Sequence, residues 1–228
     1  MYNEVILYRG EGKLKRSAVF DESNKYRFSL ERIWDKTKGK ITFILLNPSV
    51  ATGTSDDPTT TRCINLAKQF GYGRLEIVNL FSYIATYPYE LEAMSKELAI
   101  GKENQRFILQ AVNSADISVA GWGVNCYIHN RYRDISEIFK GHKLYCLGDL
   151  SKEGHPQHPL ARVKVNSLNV FLEPQQEAIK LKPTVQRRVR KINHSHRPID
   201  DRFIWCYSCH SEHPTRNGLC KECFEKER

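Results

Sequence analysis

The stretch "FILLNPSVATGTSDDPTT" (Phe43–Thr60) runs an apolar strand directly into a polar loop. The loop opens on Asn47-Pro48-Ser49 and carries the adjacent carboxylates Asp56 and Asp57 just before Pro58. An uncharged Asn closing a buried run, followed by a residue of fixed φ, is a place where a side chain can be aimed at something beyond the strand. Working outward, Ile41–Leu46, Leu75–Leu80, Ile117–Ala120 and Lys143–Leu147 are short apolar runs. Stretches with helical spacing separate them, at Thr59–Phe70, Glu103–Asn113 and His129–Phe139. The alternation β-α-β-α-β-α-β predicts an α/β fold with a mostly parallel central sheet flanked by helices. Upstream, Leu14–Phe20 and Tyr26–Ile33 flank the turn-rich "DESNK" and read as a hairpin or two edge strands.

In a sheet of this kind ligands bind beyond the carboxyl ends of the strands, so the residues there carry the functional reading. The four runs end in Asn47-Pro48-Ser49, in Asn79-Leu80-Phe81, in Gly121-Trp122-Gly123, and in the loop "LGDLSKEGHPQHPL" with His155 and His158. The Asn47 amide is not basic, but its carbonyl oxygen can accept a hydrogen bond and fix a water. Asn79 offers an acceptor and donors together, as the edge of a pyrimidine requires. His155 and His158 can donate to an anion forming on a leaving group. Each has an ordinary alternative: Asn-Pro initiates turns, a strand-end Asn bonds its own loop, and loop histidines are solvated. Their joint placement at successive strand ends favours the functional reading. Asp57 precedes Pro58 and the helical run, which suits an N-cap; the functional alternative is that Asp57 or Asp56 orients a water or the sugar, and a third is an ion pair with Arg62 instead.

Of 228 residues, 35 are Lys or Arg and 26 are Asp or Glu, a net charge of +9. This balance favours a polyanionic partner such as nucleic acid, and DNA is the partner expected. No apolar run is long enough for a membrane span and the first ten residues are too polar for a secretory signal, so a cytoplasmic protein, monomeric rather than assembled, is expected. The chain divides on composition into an α/β domain over 1–172, a basic linker over 173–202 and a short tail over 203–228. Arg187, Arg188, Arg190 and Lys191 in the linker are candidates for phosphate contacts; a solvated tether is the alternative. Of the seven cysteines, Cys63, Cys126 and Cys146 stand singly in apolar surroundings. Cys206, Cys209, Cys220 and Cys223 form two C-x-x-C pairs in the tail, the spacing of a tetrahedral structural zinc site. Four thiolates leave no position for water, so catalysis is expected from the larger domain.

The ordered set "LLNPS", "DDPTTTRC", "GYGRLEIVNLF", "GWG" and "GHPQHPL" resembles a bacterial and phage family catalogued as a domain of unknown function, over about residues 14 to 165. More remotely it resembles the uracil-DNA glycosylase superfamily. There a first strand ends in a water-positioning Asp or Asn before Pro, a second in an Asn that reads the base, a third in Trp-Gly, and a fourth leads to a His-Pro loop. The resemblance implies a three-layer sandwich and a monofunctional glycosylase that flips out a base and needs neither metal nor nucleotide cofactor. It also implies that Asn47 positions the water, Asn79 reads the base, and His158 or His155 stabilises the departing base anion. Phe81, Tyr83 and Trp122 are candidates to stack on the base. Two departures matter. The histidine loop is one residue longer than the superfamily form, and His158, followed by Pro159 and Leu160, matches better. Ser49 stands where uracil-specific enzymes carry a Tyr that blocks C5, which points to a 5-substituted or hypermodified pyrimidine, in phage defence or repair. The rivals are a non-catalytic DNA-binding or modified-base-sensing protein, and an enzyme of free nucleotides with "GWGVNC" as a phosphate loop; the latter lacks the third glycine of a dinucleotide fingerprint.

Overall fold

The structure is a computed structural model that describes residues 2–8, 14–49, 55–161, 165, 167–174, 203–205, 212–216 and 219–220. The chain divides into two compact units, Met1–Ile179 and Lys180–Arg228. In the first, eight strands form one sheet: β1 (Tyr2–Tyr8), β2 (Lys15–Asp21), β3 (Arg27–Ile33), β4 (Lys40–Leu45), β5 (Arg74–Asn79), β6 (Ile117–Ala120), β7 (Leu144–Leu147) and β8 (Leu168–Leu172). Their order is β1-β2-β3-β5-β4-β6-β7-β8. The centre, β5-β4-β6-β7, is parallel as the sequence predicts. The flanks are antiparallel: β1, β2 and β3 extend one side and β8 closes the other. The sheet is therefore mixed.

The chain leaves β4 for β5 on one side and then crosses to β6 on the other. Consecutive connections diverge here, which opens a crevice at the carboxyl end of β4. Strand β4 is buried along its whole length and feeds both faces. Phe43 and Leu45 pack with Cys63, Leu66 and Ala67 of α1 (Pro58–Gln69), whereas Ile44 packs with Ile108 and Ala111 of α4 (Asn104–Asn113) and Ile135 and Ile138 of α5 (Arg131–Ile138). Two short helices, α2 (Pro88–Glu92) and α3 (Lys96–Ile100), lie between β5 and α4. Among the described residues no helix is long and apolar enough to cross a membrane.

Helix α1 illustrates how local sequence fixes the frame. Asp57 caps its N-terminus, accepting from the Thr60 N–H at 2.6 Å, and Pro58 takes the first helical position where no donor is lost. At the other end Tyr72 N–H bonds the Ala67 carbonyl and Gly71 N–H that of Lys68, while Gly71 adopts φ +86°. This is the paired closing motif that a glycine in the left-handed region permits.

The neighbouring carboxylate has a different task. Asp56 accepts from Arg32 Nε at 2.7 Å and from Arg16 at 3.4 Å, and Arg32 is wholly buried within the sheet. Arg32 also donates to the Ser17 and Glu31 carbonyls. Asp56→Ala removes the carboxylate that accepts from that buried guanidinium and is expected to cost about 2–3 kcal/mol in stability, read from urea denaturation. A loss under about 0.5 kcal/mol, typical of surface changes, would show the pair to be dispensable.

The second unit contains β9 (Phe203–Trp205), β10 (Glu212–Arg216) and β11 (Leu219–Cys220) as a three-stranded antiparallel sheet ordered β11-β10-β9. Cys220 lies on β11 opposite Thr215. Cys206, Cys209 and Cys223 lie outside the described residues, as do Arg187, Arg188, Arg190 and Lys191 of the basic linker.

Candidate functional site

A cavity of about 340 Å³ opens at the crevice beyond β4, within the range of small-molecule sites. Six of the residues singled out from sequence line it: Asn47, Ser49, Asp57, Asn79, Trp122 and His158. Two do not. Phe81 is fully buried in the core, edge-on to His129. His155 is turned to Cys126, with Nδ1 and Sγ 3.3 Å apart, and its backbone is tied to Ser151. Tyr83 also stays out of the lining, packed edge-to-face on Tyr26.

Asn79 is the most unusual residue of the site. It is 1 % exposed, and among the described residues neither its amide oxygen nor its amide nitrogen has a hydrogen-bond partner. Leaving such groups unpaired costs roughly 1–3 kcal/mol, so the fold tolerates a strained polarity at the cavity wall. Its main chain, by contrast, is held. Asn104, itself buried, donates to the carbonyls of Asn79 and Leu80 at 3.0 and 2.9 Å, and Arg131 Nε donates to the Leu80 carbonyl at 3.2 Å. The backbone is fixed while the amide is left for something else. Asn79→Leu, close in shape and without polar atoms, is expected to raise stability by about 1–2 kcal/mol while abolishing the site's function. Thermal unfolding checks this; a lower melting temperature would mean that the amide serves the core.

Asn47 is arranged in the opposite manner. Its Nδ2 donates to the Ala85 carbonyl at 2.8 Å and to the Pro48 carbonyl at 3.0 Å. The two acceptors dictate which end of the amide faces them, and the carbonyl oxygen is the end left for the cavity. An aspartate here would set a carboxylate against two carbonyl oxygens. The uncharged residue two positions past β4 is thus required by its own anchor.

Beside it, Ser49 Oγ donates to Asp57 at 2.8 Å. Burial works against ionisation of Asp57, but the bonds from Thr60 and Ser49 and the charge of Arg27 outweigh it and hold the carboxyl below its ordinary value. Asp57 therefore caps α1 and borders the cavity with one ionised group. The charge facing it is Arg27, on β3, rather than Arg62. Arg27 is 3 % exposed and burial pushes its guanidinium down to about 10, against the pull of Asp57. It remains a cation at neutral pH.

His158 faces the same cavity. Its Nδ1 accepts from the Leu160 N–H at 3.2 Å, so the neutral ring carries its proton on Nε2 as a donor. Burial lowers the His158 pKa, only partly opposed by the Asp57 charge, which favours that neutral form. The loop is seated by Gly121-Trp122-Gly123. A side chain at Gly121 would meet Leu45 at 3.1 Å and Pro159 at 3.4 Å, and Gly123, at φ +72°, donates to the Pro156 carbonyl. Trp122 reaches the cavity wall but is mostly core, stacked with Phe139 and edge-on to Phe171.

Sequence reading missed Arg27, Asn104 and Arg131. Arg27 sits in a hairpin strand whose surroundings look ordinary, and its only signal is a cation within the run Arg27–Leu30 that is buried throughout. Asn104 and Arg131 lie in helical stretches, where nothing marks a buried polar contact in advance. Among the described residues no group of three or more metal-ligating side chains is present.

No curated protein and no solved structure matches the chain. One family does match, described as "Protein of unknown function (DUF1643)", over residues 27–160, a span that takes in β3 through the histidine loop and every cavity residue named above. The chain belongs to the DUF1643 family.

Proposed function

We infer that the protein is a DNA glycosylase that hydrolyses the N-glycosidic bond of an extruded pyrimidine nucleotide bearing a 5-substituent. The observation that carries this reading is the Asn79 amide, buried and unpartnered on both its donor and acceptor sides at a cavity wall. A flat ring with a donor-acceptor edge supplies both missing bonds at once, as the Watson–Crick edge of a flipped pyrimidine does. Asn47 then holds a water by its carbonyl oxygen, aimed at the sugar carbon. The Nε2–H of His158 stabilises the negative charge that reaches the departing base. Positive charge develops on the sugar as the bond opens, and ionised Asp57 lies where it can offset it. Ser49, kept small and tied to Asp57, leaves room beside C5. The order of these groups along the chain follows that of the uracil-DNA glycosylase superfamily, which supports the three-layer assignment and the roles. Phage defence by removal of modified bases and ordinary repair both fit this chemistry.

The basic linker would track phosphates, and Cys206, Cys209, Cys220 and Cys223 would hold one structural zinc ion; four thiolates in two C-x-x-C pairs suit that metal. Metal analysis of the purified chain is expected to give close to one equivalent of zinc, falling with Cys220→Ser; bound iron, or no metal, contradicts it. The function itself is tested by incubating the protein with duplexes carrying different 5-substituted pyrimidines and looking for alkali-labile sites. Tight binding to such duplexes without base loss would make the chain a modified-base sensor instead.

A further inference from the structure

We propose that exposed tyrosines at the rim of the cavity form a stacking platform for the unpaired nucleobases on either side of the nucleotide held within, an inference that rests on reading the cavity as a nucleobase site. Thr86 and Pro88 line the cavity, and Tyr87 and Tyr89 on either side of Pro88 are 56 % and 64 % exposed. Their rings stack on each other, 10° from parallel with centroids at 5.4 Å, so the pair stands as one aromatic unit whose outer faces are open to a further ring. On the neighbouring segment Val124 and Asn125 line the cavity, and Tyr127 is 55 % exposed.

The rim is held in place. Tyr87 N–H donates to Glu90 Oε1 at 2.7 Å, and the His129 ring bonds the Leu91 carbonyl at 2.7 Å, which ties α2 to the 124–130 turn. Large aromatics left outside a core and gathered at a cavity mouth mark a binding surface. Continuity with the cavity identifies the occupant: a strand that delivers one base inward carries its neighbours across this rim. Nucleobases stack on aromatic faces without regard to sequence, and the chain's net charge of +9 attracts the phosphates between them.

The test measures binding, so it does not depend on base release. A fluorescein-labelled single-stranded oligodeoxynucleotide of mixed sequence is titrated with the full chain, with Y87A/Y89A and with Y87F/Y89F; an abasic oligomer of the same backbone is the comparison. The alanine pair is expected to bind the base-bearing strand about 10- to 100-fold more weakly, and the phenylalanine pair within about twofold of the unaltered chain. All three should bind the abasic oligomer alike. Unchanged affinity of Y87A/Y89A for the base-bearing strand overturns the proposal, as does an equal loss on the abasic oligomer. A shift from dimer to monomer in sedimentation, with DNA affinity unchanged, would assign the tyrosines to a second copy of the chain and also overturns it. If this stacking pattern holds and no base is released from any substrate, the glycosylase reading fails while the platform stands.

Discussion

Asn47→Ala is expected to slow base release at least about 100-fold while leaving affinity for the same DNA nearly unchanged. The amide touches the cavity only through its carbonyl oxygen, because both Nδ2 protons are committed to Ala85 and Pro48. On the proposed reading its service is to a water in the transition state rather than to the bound strand, and a residue that acts there alters turnover more than binding. The single-turnover rate and the dissociation constant, measured on one substrate, separate the two. Asn47→Asp is informative beside it. A carboxylate is a better partner for water, yet it cannot donate to the two carbonyls that anchor this position, so it is expected to restore little of the lost rate. Equal loss of binding and turnover in Asn47→Ala would place the residue in strand recognition instead.

His158→Ala is expected to lower the rate by about 100- to 1000-fold, the usual consequence of removing a donor aimed at a developing anion. The donor is the neutral ring, with the proton fixed on Nε2 by the Leu160 N–H. Burial depresses the pKa of this ring from 6.5, so it binds its second proton less readily than a free histidine. Base release by the unaltered chain should thus stay level as pH falls through 6.5 and decline only below it. The same shift links to stability. Between the folded and unfolded values the unfolded chain binds more protons, so the contribution of His158 is present above 6.5 and is lost as pH falls through the depressed value. A rate that rises on acidification through 6.5 would assign the catalytic form to the imidazolium. His155, turned to Cys126 and away from the cavity, is expected to tolerate replacement by Ala far better.

The parallel heart of the sheet was legible because its four strands are short apolar runs with stretches of helical spacing between them, and β6 occupies Ile117–Ala120 as read. What escaped was short or irregular. Helices α2 and α3 have five residues each, too few to express a period. The helical pattern from His129 breaks at once, since His129 and Asn130 take positive φ and α5 starts only at Arg131. Strand β8 is an edge strand that is mostly exposed or half-buried, and its alternation carries no clear hydrophobic signal. For the site, strand ends were a good guide to the neighbourhood but not to every side chain: Asn47, Ser49 and Trp122, just past β4 and β6, line the cavity. Asn79 is the last residue of β5 and borders the cavity, whereas Phe81, two positions on, has left the strand, so alternation no longer decides its direction and the core takes its ring. The two aspartates look alike in sequence. Their separate fates follow from their partners: Asp56 meets Arg32, on a strand more than twenty residues upstream, whereas Asp57 is held by Thr60 and Ser49 with Arg27 facing it.

The most direct measurement is the amount of free base released in a single turnover from duplexes that carry one 5-substituted pyrimidine, quantified together with the abasic strand. The unaltered chain is expected to yield free base and abasic strand in equal amounts from at least one such duplex, without an added metal or nucleotide, and Asn47→Ala and His158→Ala to yield little of either. Base release retained in full by both variants, on a substrate that the unaltered chain cleaves, would contradict the assignment of this cavity as the site of N-glycosidic hydrolysis.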